Sequence, residues 1–446
     1  MLLGFCGILL WYVGTAATAA TLEVGPGKRF DRIEPAVTAA ISGDIIEVYP
    51  QPEGQAYERV ALSVNKPRLT VRAAGIPAGE RVTLSGKGFK YSGRGSVPRA
   101  IVQFNRGADY GVLEGFELTG ASNRTNNAAG VRINQANHVT IRDCDIHDND
   151  VGIFSNGDGT PKRAVDQRIE RCEIHHNHGH GLSGFNHNLY LGGTSATLSF
   201  CEVHHSGNGH NIKTRTHFTR IEYSYVHHSI NREFDLVDGR ETAWPDSHAV
   251  LLGNIIVKNP QSTGNRTVIH FGQDGGREHD GTLYLVHNTI VTPFVSPVVD
   301  LSSTKARSAL FGNIVDDGGR RRNNQVLGDA RRGGASAKRI EGIGNWFAPG
   351  FLSRLERTSV DVTKNTVSGQ SQRLYLDPGQ HDYRLREAWP GIVRAGRSLN
   401  LLQIPHTPGA DKEDPPLRWQ YVHPLGRQPR TFSEQPDLGA HEFTGL

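Results

Sequence analysis

The sequence predicts a parallel β-helix, and three observations carry that prediction. Short strand-like segments separated by polar turns recur along most of the chain at nearly constant spacing. Glycine is abundant, at 52 of 446 residues, while Met occurs once and hydrophobic residues reach only 37%, a balance that suits a turn-rich β architecture better than a helical bundle. Residues at one position of the repeat also tend to be of one kind, three cysteines in a row and later three asparagines, as expected where successive coils stack directly on one another.

The chain opens with an apolar run from Leu2 to Val13, then Gly14 and a small-residue segment in which Ala17-Thr18-Ala19 fits an A-x-A cleavage pattern. This predicts a signal peptide over residues 1–20, a secreted or periplasmic protein, and no membrane association after cleavage. No later stretch resembles a transmembrane span. Residues 21–60 are expected to form an N-terminal cap. Within them Ile33, Val37, Ala40 and Ile41 give an amphipathic helical pattern, followed by a Gly43-Asp44 turn and an apolar strand. A solenoid needs such a cap because every coil leaves a face for a neighbour.

Residues 61–350 are assigned to the solenoid. The segments at 111–118, 139–146, 167–174, 196–203, 219–226, 249–256 and 308–315 share one template, apolar-x-x-Z-x-apolar before a polar turn. The Z residues Phe116, Cys144, Cys172, Cys201, Ser224 and Asn254 are spaced by 28, 28, 29, 23 and 30 residues. The cysteines therefore read as an inward ladder of buried thiols about 4.8 Å apart, and Asn254, Asn288 and Asn313 as an asparagine ladder. Both are structural assignments. The histidine pairs His175-His176, His204-His205 and His227-His228 recur in the turn after each template strand and are expected to stack. Residues 351–446 lose the repeat and read as a tail that packs back over the final coils.

A second strand set follows, at 131–134, 153–156, 189–192, 212–215, 236–239 and 269–272, with first and third residues inward and second and fourth outward. This alignment puts Arg132, Phe154, Tyr190, Lys213, Val237 and His270 in one outward column. Arg215 falls in the next, and Asn188, Asn211 and Asp235 in the column just before the strands. His210 is expected to face the core. The net charge of +4 is too small to argue for nucleic-acid binding, so local patches matter more than the total. The cations of these coils suit a polyanionic chain lying in a groove over residues 185–275.

Elimination next to a carboxylate, one reaction that a polyanionic substrate can undergo, needs a base for the carbon-bound proton, a group that neutralises the carboxylate and an acid for the leaving oxygen. Lys213 can be the base if burial and Arg215 lower its pKa. Arg215 or Arg232 can hold the carboxylate, Tyr190 or His210 can pass a proton, and His270 points into the same column. The catalytic candidates are thus Lys213, Arg215, Arg232 and His270. Asn188, Tyr190, Asn211, Asp235 and Arg240 are the substrate-binding candidates. Glu233, Asp235 and Asp238 can be read as calcium ligands or as loop residues; no clear metal motif stands out, and the cofactor is unknown.

The coil template, the Gly43-Asp-Ile-Ile-Glu-Val48 start and the Pro436-Asp-Leu-Gly-Ala-His-Glu-Phe443 ending resemble the right-handed parallel β-helix proteins of the pectate-lyase-like superfamily. The resemblance implies a right-handed solenoid and a choice among polysaccharide lyase, uronan epimerase and polygalacturonase-type hydrolase. The chondroitinase B and alginate lyase group is similar in pairing a lysine base with an arginine about one coil further on, which Arg232 matches. That group's calcium-binding carboxylates have no counterpart at matching positions, and the Asp-Pro-His motif of alginate epimerases is absent. The expectation is a secreted, monomeric polysaccharide lyase acting on a uronate-containing acidic polysaccharide by β-elimination. The alternatives are a C5-epimerase, a glycoside hydrolase and a non-catalytic glycan-binding β-helix.

Overall fold

The computed structural model describes residues 19–445, apart from 77–79, 93–97, 181–183, 277–278, 321–322, 331, 368–373, 398–402, 412–416 and 433. The apolar opening expected to be a signal falls in residues 1–18, outside the described residues. No helix among those described is long and apolar enough to cross a membrane.

Parallel strands form a 20-stranded and an 11-stranded sheet. A typical coil runs through Ala129–Asn134, then Thr140–Arg142, then Asp145–His147, before Val151–Asn156 lands on Ala129–Asn134 of the coil below. Each coil thus contributes to three stacked rows, and the repeat template spans the second and third. In two coils the first and second rows fuse into single eleven-residue strands, Leu189–Ser199 and Ile212–Glu222, which pair residue for residue. These long strands join two rows into the larger sheet.

Stacking begins earlier than the cap assignment implied. Thr21–Val24 already pairs with Ile45–Val48, and the helix Ile33–Ala39 is inserted between them. Ile33, Ala36, Val37 and Ala40 are buried, but Ile41 is 49% exposed because the helix ends before it. The Asp44 carboxylate accepts the backbone N–H groups of Ala20 and Ile41 and so ties the first turn together. Stacking continues past residue 350 to Thr366–Val367.

The bend between second and third rows explains the Z position. The residue before Z takes a left-handed conformation in coil after coil, at Asp143, Arg171, Tyr223, Gly253 and Gly312. Glycine adopts it freely and other residues at a cost. Z itself then points inward and satisfies the strained backbone. Cys144, Cys172 and Cys201 are buried free thiols, not a disulfide, and their sulfurs lie against backbone carbonyls. In later coils Asn254, Asn288 and Asn313 form the ladder, which continues through Asn345 to Asn365. Each amide oxygen accepts the backbone and side-chain N–H of the coil before it.

The histidine pairs stack as the repeat requires. His175 lies 4.8 Å from His204 and His204 4.9 Å from His227, with His176, His205 and His228 in a parallel outer stack. In each pair the two Nδ1 atoms are 2.7 Å apart, and the inner Nε2 meets a carboxylate of the previous coil. Beyond residue 374 the chain forms the antiparallel hairpins Tyr375–Asp377/Asp382–Leu385 and Trp419–Val422/Gly426–Pro429. The tail returns over the central coils: the Tyr421 hydroxyl donates to Glu202, Ser195 Oγ donates to Pro408 C=O, and Gly409 lies against Val165. Leu417 covers the outward residues Val250 and Leu252, which explains why Ala249–Leu252 is apolar on both faces.

The asparagine ladder makes a stability prediction. Asn288→Ala leaves Asn254 N–H and Leu251 C=O without their partner in the core, and is expected to lower unfolding free energy by about 1–3 kcal/mol. A urea titration that leaves the midpoint unchanged would show that the ladder contributes nothing.

Candidate active site

The outward face of the first row carries the site. Register places Tyr190, Lys213, Asp235 and His270 beside one another on four successive coils, with Arg215 next to Gly192. This differs from the sequence alignment, which paired Lys213 with Val237. Ile212 pairs with Phe234, not Leu236. A slip of two residues keeps every apolar side chain on the same face, so alternation alone does not detect it. The correction moves Asp235 into the column of Lys213.

Glu233 then takes the place beside Asn211 that had been given to Asp235. Asn149, Asn177, Asn188, Asn211 and Glu233 form a second buried ladder at the turn into the first row. Asn188 donates to His204 C=O and Asn211 Oδ1, and its oxygen accepts from Asn177. Asn211 donates to His227 C=O and Glu233 while accepting from Ser206 N–H and Asn188. Both asparagines are fully buried. They hold the turn, and the sequence assignment of Asn188 and Asn211 to substrate binding is corrected accordingly. Arg240 is exposed in a turn, its stem beside Gly159, and it does not line the depression described next.

An open depression of about 500 Å³ is lined by Tyr190, Lys213, Arg215, Arg232, Asp274 and Arg332, with His187, His210 and Asp235 deeper. Asp235, only 1% exposed, is its anchor. Lys213 Nζ, Arg232 Nη1 and His270 Nδ1 each lie 2.8 Å from its carboxylate, and His210 Nε2 lies at 3.4 Å. Burial raises this carboxyl's pKa, but His210, His270 and Lys213 outweigh it and hold the group well below the ordinary range.

Asp274 bridges the two outward cations, 3.0 Å from Lys213 Nζ and 2.8 Å from Arg215 Nη2. Its loop is tied down by Asp238, whose carboxylate accepts the N–H groups of Asp274 and Gly275. Arg215 Nε donates to the Tyr190 hydroxyl at 3.0 Å. For Lys213, burial is the largest influence and pulls the pKa down, yet Asp235 and Asp274 prevail and the net shift is upward. The lowered pKa expected of a lysine base is therefore reversed, because two carboxylates within 3.0 Å outweigh burial and the like charge of Arg215.

The remaining candidates divide. His270, expected in the groove, is 2% exposed, with its ring held between Asp235 and Ser302 Oγ; it positions Asp235. His210, expected in the core, reaches the site. Its Nδ1 accepts Arg232 N–H, it stacks on His187 at 5.1 Å, and burial lowers its pKa to about 3. The repeated His-Asn at 187–188 and 210–211 signalled this pair; Asp274 and Arg332 had no repeat signal because they come from loops.

The carboxylates considered for calcium are engaged separately: Glu233 with Lys258, Asp235 with the donors above, and Asp238 with the Asp274 loop. Among the described residues, metal-ligand atoms come within 4.8 Å of one another at Glu202, His204 and His227 and at Asp145, Glu173 and His175. Both groups belong to the histidine ladder, away from this depression.

No protein-family model and no curated protein matches the chain. Among solved structures, pectate lyase Pel9A superposes with a TM-score of 0.52 at 14% identity, over 96% of this chain and 97% of that one. An alginate lyase from Paenibacillus sp. gives 0.48 at 17% identity, over 72% of this chain and 99% of that one. A polysaccharide lyase from Pseudopedobacter saltans gives 0.44 at 11% identity, over 83% and 96%. The likeness is one of fold: the chain is a right-handed parallel β-helix. One fold of this kind carries many activities.

Two predictions follow from Asp235 and its neighbours. Asp235→Asn removes the carboxylate paired with Arg232 and one of the two that face Lys213, and is expected to cost about 3–5 kcal/mol, read as a lower urea midpoint. His210 in the folded chain titrates near 3, below the value of about 6.5 in an unfolded chain. The unfolded state therefore takes the proton first, so this contribution is present above about 6.5 and lost as pH falls toward 3. The melting temperature is expected to fall from pH 7 to pH 4, and to fall less in His210→Gln; parallel profiles would remove His210 as the cause.

Proposed function

We propose that the groove cleaves a uronate-containing acidic polysaccharide by β-elimination, and that the chain acts as a monomer in the periplasm or outside the cell. The reading is carried by the convergence of Lys213, Arg215 and Tyr190 on one open depression, with Arg215 bonded to the tyrosine oxygen and Asp274 bridging both cations. The site of the Asp274 carboxylate suits a uronate carboxylate equally well. With a substrate carboxylate on Arg215 Nη2, negative charge that develops as the C5 proton leaves is stabilised where it forms.

The Tyr190 oxygen, held in place by Arg215 Nε, takes the C5 proton. The C5–H electrons form the C4–C5 double bond as the C4–O bond breaks. Lys213, kept protonated by Asp235, gives its proton to the departing oxygen. Lys213 is an acid in this scheme rather than a base. Epimerisation uses the same groups and differs in returning the proton to C5 from the opposite face. A hydrolase needs one carboxyl kept protonated, whereas Asp235 and Asp274 are both held below the ordinary range, each by cationic neighbours that outweigh burial.

The test is absorbance at the unsaturated-uronate band while the purified protein is incubated with a panel of acidic glycans. Wild type is expected to give a rising signal, and Lys213→Ala and Tyr190→Phe are each expected to reduce it roughly 10²–10⁴-fold. Reducing ends without absorbance would replace elimination by hydrolysis, and full activity in Tyr190→Phe would remove that residue as base.

A further inference from the structure

The outward column does not end at Tyr190. Register continues it toward the N-terminus through Phe154 to Arg132. The ring of Phe154 lies 5.5 Å from that of Tyr190, and two guanidinium groups approach it, Arg99 at 4.8 Å and Arg132 at 5.6 Å. Beside them is a second cavity of about 420 Å³, lined by Arg99, Asn126, Asn127, Phe154 and Phe185, and by Tyr190, through which it adjoins the Lys213 depression.

Arg99 lines this cavity and donates to the side-chain and backbone oxygens of Asn127. Arg132 has Asn134 and Asn156 among its partners. Burial lowers the pKa of Arg99, and burial together with Arg99 brings Arg132 down to about 10. Two guanidiniums held this close stabilise an arriving anion, and their planar forks suit a carboxylate. Phe154 and Tyr190 offer apolar faces beside them, the complement of the C–H face of a sugar ring.

We propose that this cavity is a second subsite of the same groove, which holds an acidic sugar with its carboxylate on Arg99 and its ring against Phe154 and Tyr190. The proposal rests on reading the Lys213 depression as a uronate site. Arg132 and Lys213 are three coils apart, at about 4.8 Å per coil, so one chain of several sugars running along the solenoid axis reaches both. The enzyme then favours longer oligomers over disaccharides, and the chain direction follows the stack.

The experiment is calorimetric titration of Lys213→Ala, chosen for its slowed turnover, with oligogalacturonate and alginate oligomers, disaccharides against longer chains. The same series is run on Lys213→Ala combined with Arg99→Ala and with Arg99→Lys, with folding checked by circular dichroism. Longer chains are expected to bind more tightly than disaccharides. Arg99→Ala is expected to lower the long-to-short affinity ratio roughly ten-fold, the size of one charge-assisted hydrogen bond, and Arg99→Lys to restore part of it. An unchanged ratio in Arg99→Ala would overturn the subsite while leaving the uronate reading intact. If no oligomer bound any form, with the unsaturated-uronate signal also missing in wild type, the reading of the whole groove would fall and the subsite with it.

Discussion

Asp235 is the constraint around which the groove is built. A carboxylate that is 1% exposed is tolerable only with donors on it, and the donors it gathers are those that face the groove. Lys213 comes from the coil before, His270 from the coil after, and Arg232 and His210 from the turns leading into their strands. Each is drawn in by the same buried charge, which also holds Lys213 as a cation. The polarity of the groove follows: basic and aromatic toward the N-terminus, with Asp235, Asp300 and Asp329 continuing the column toward the C-terminus.

Such a column exists because coils stack in register, and register is maintained inside. Hydrogen-bonded amides run along two lines of the solenoid, Asn254 to Asn365 at one bend and Asn149 to Asn211 at another. Each amide bonds to the next coil and leaves no freedom to slide. The second line ends on Glu233, which Lys258 neutralises, just two residues before Asp235. Scaffold and site are therefore joined within one short segment: Glu233 closes the buried ladder, Phe234 enters the core and Asp235 faces the groove.

Much of this was legible before any coordinates. The recurring Z position identified the cysteine ladder and the first asparagine ladder, because a single residue type at one repeat position can only stack on itself. The histidine pairs were legible for the same reason. Lys213, Arg215 and Tyr190 were legible as outward residues because alternation puts them on that face. Asn188 and Asn211 were misassigned because a polar residue next to a strand looks the same whether its amide faces water or a neighbouring turn. His270 was misread as accessible, since alternation shows the face a side chain takes and not what covers it.

The sequence by itself determined the repeat, the fold class and the outward cations of the central coils. These depend on local periodicity, which a chain expresses without reference to distant residues. Tertiary structure decided the pairing of Lys213 with Asp235, because a two-residue slip preserves every apolar face and only stacking on the adjacent coil distinguishes the alternatives. It also decided the charge of Lys213, which depends on Asp235 and on Asp274, the latter sixty-one residues further along the chain and brought within 3.0 Å by a loop from a later coil. Contacts of that separation carry no periodic signal, so a sequence read one residue at a time does not contain them in legible form.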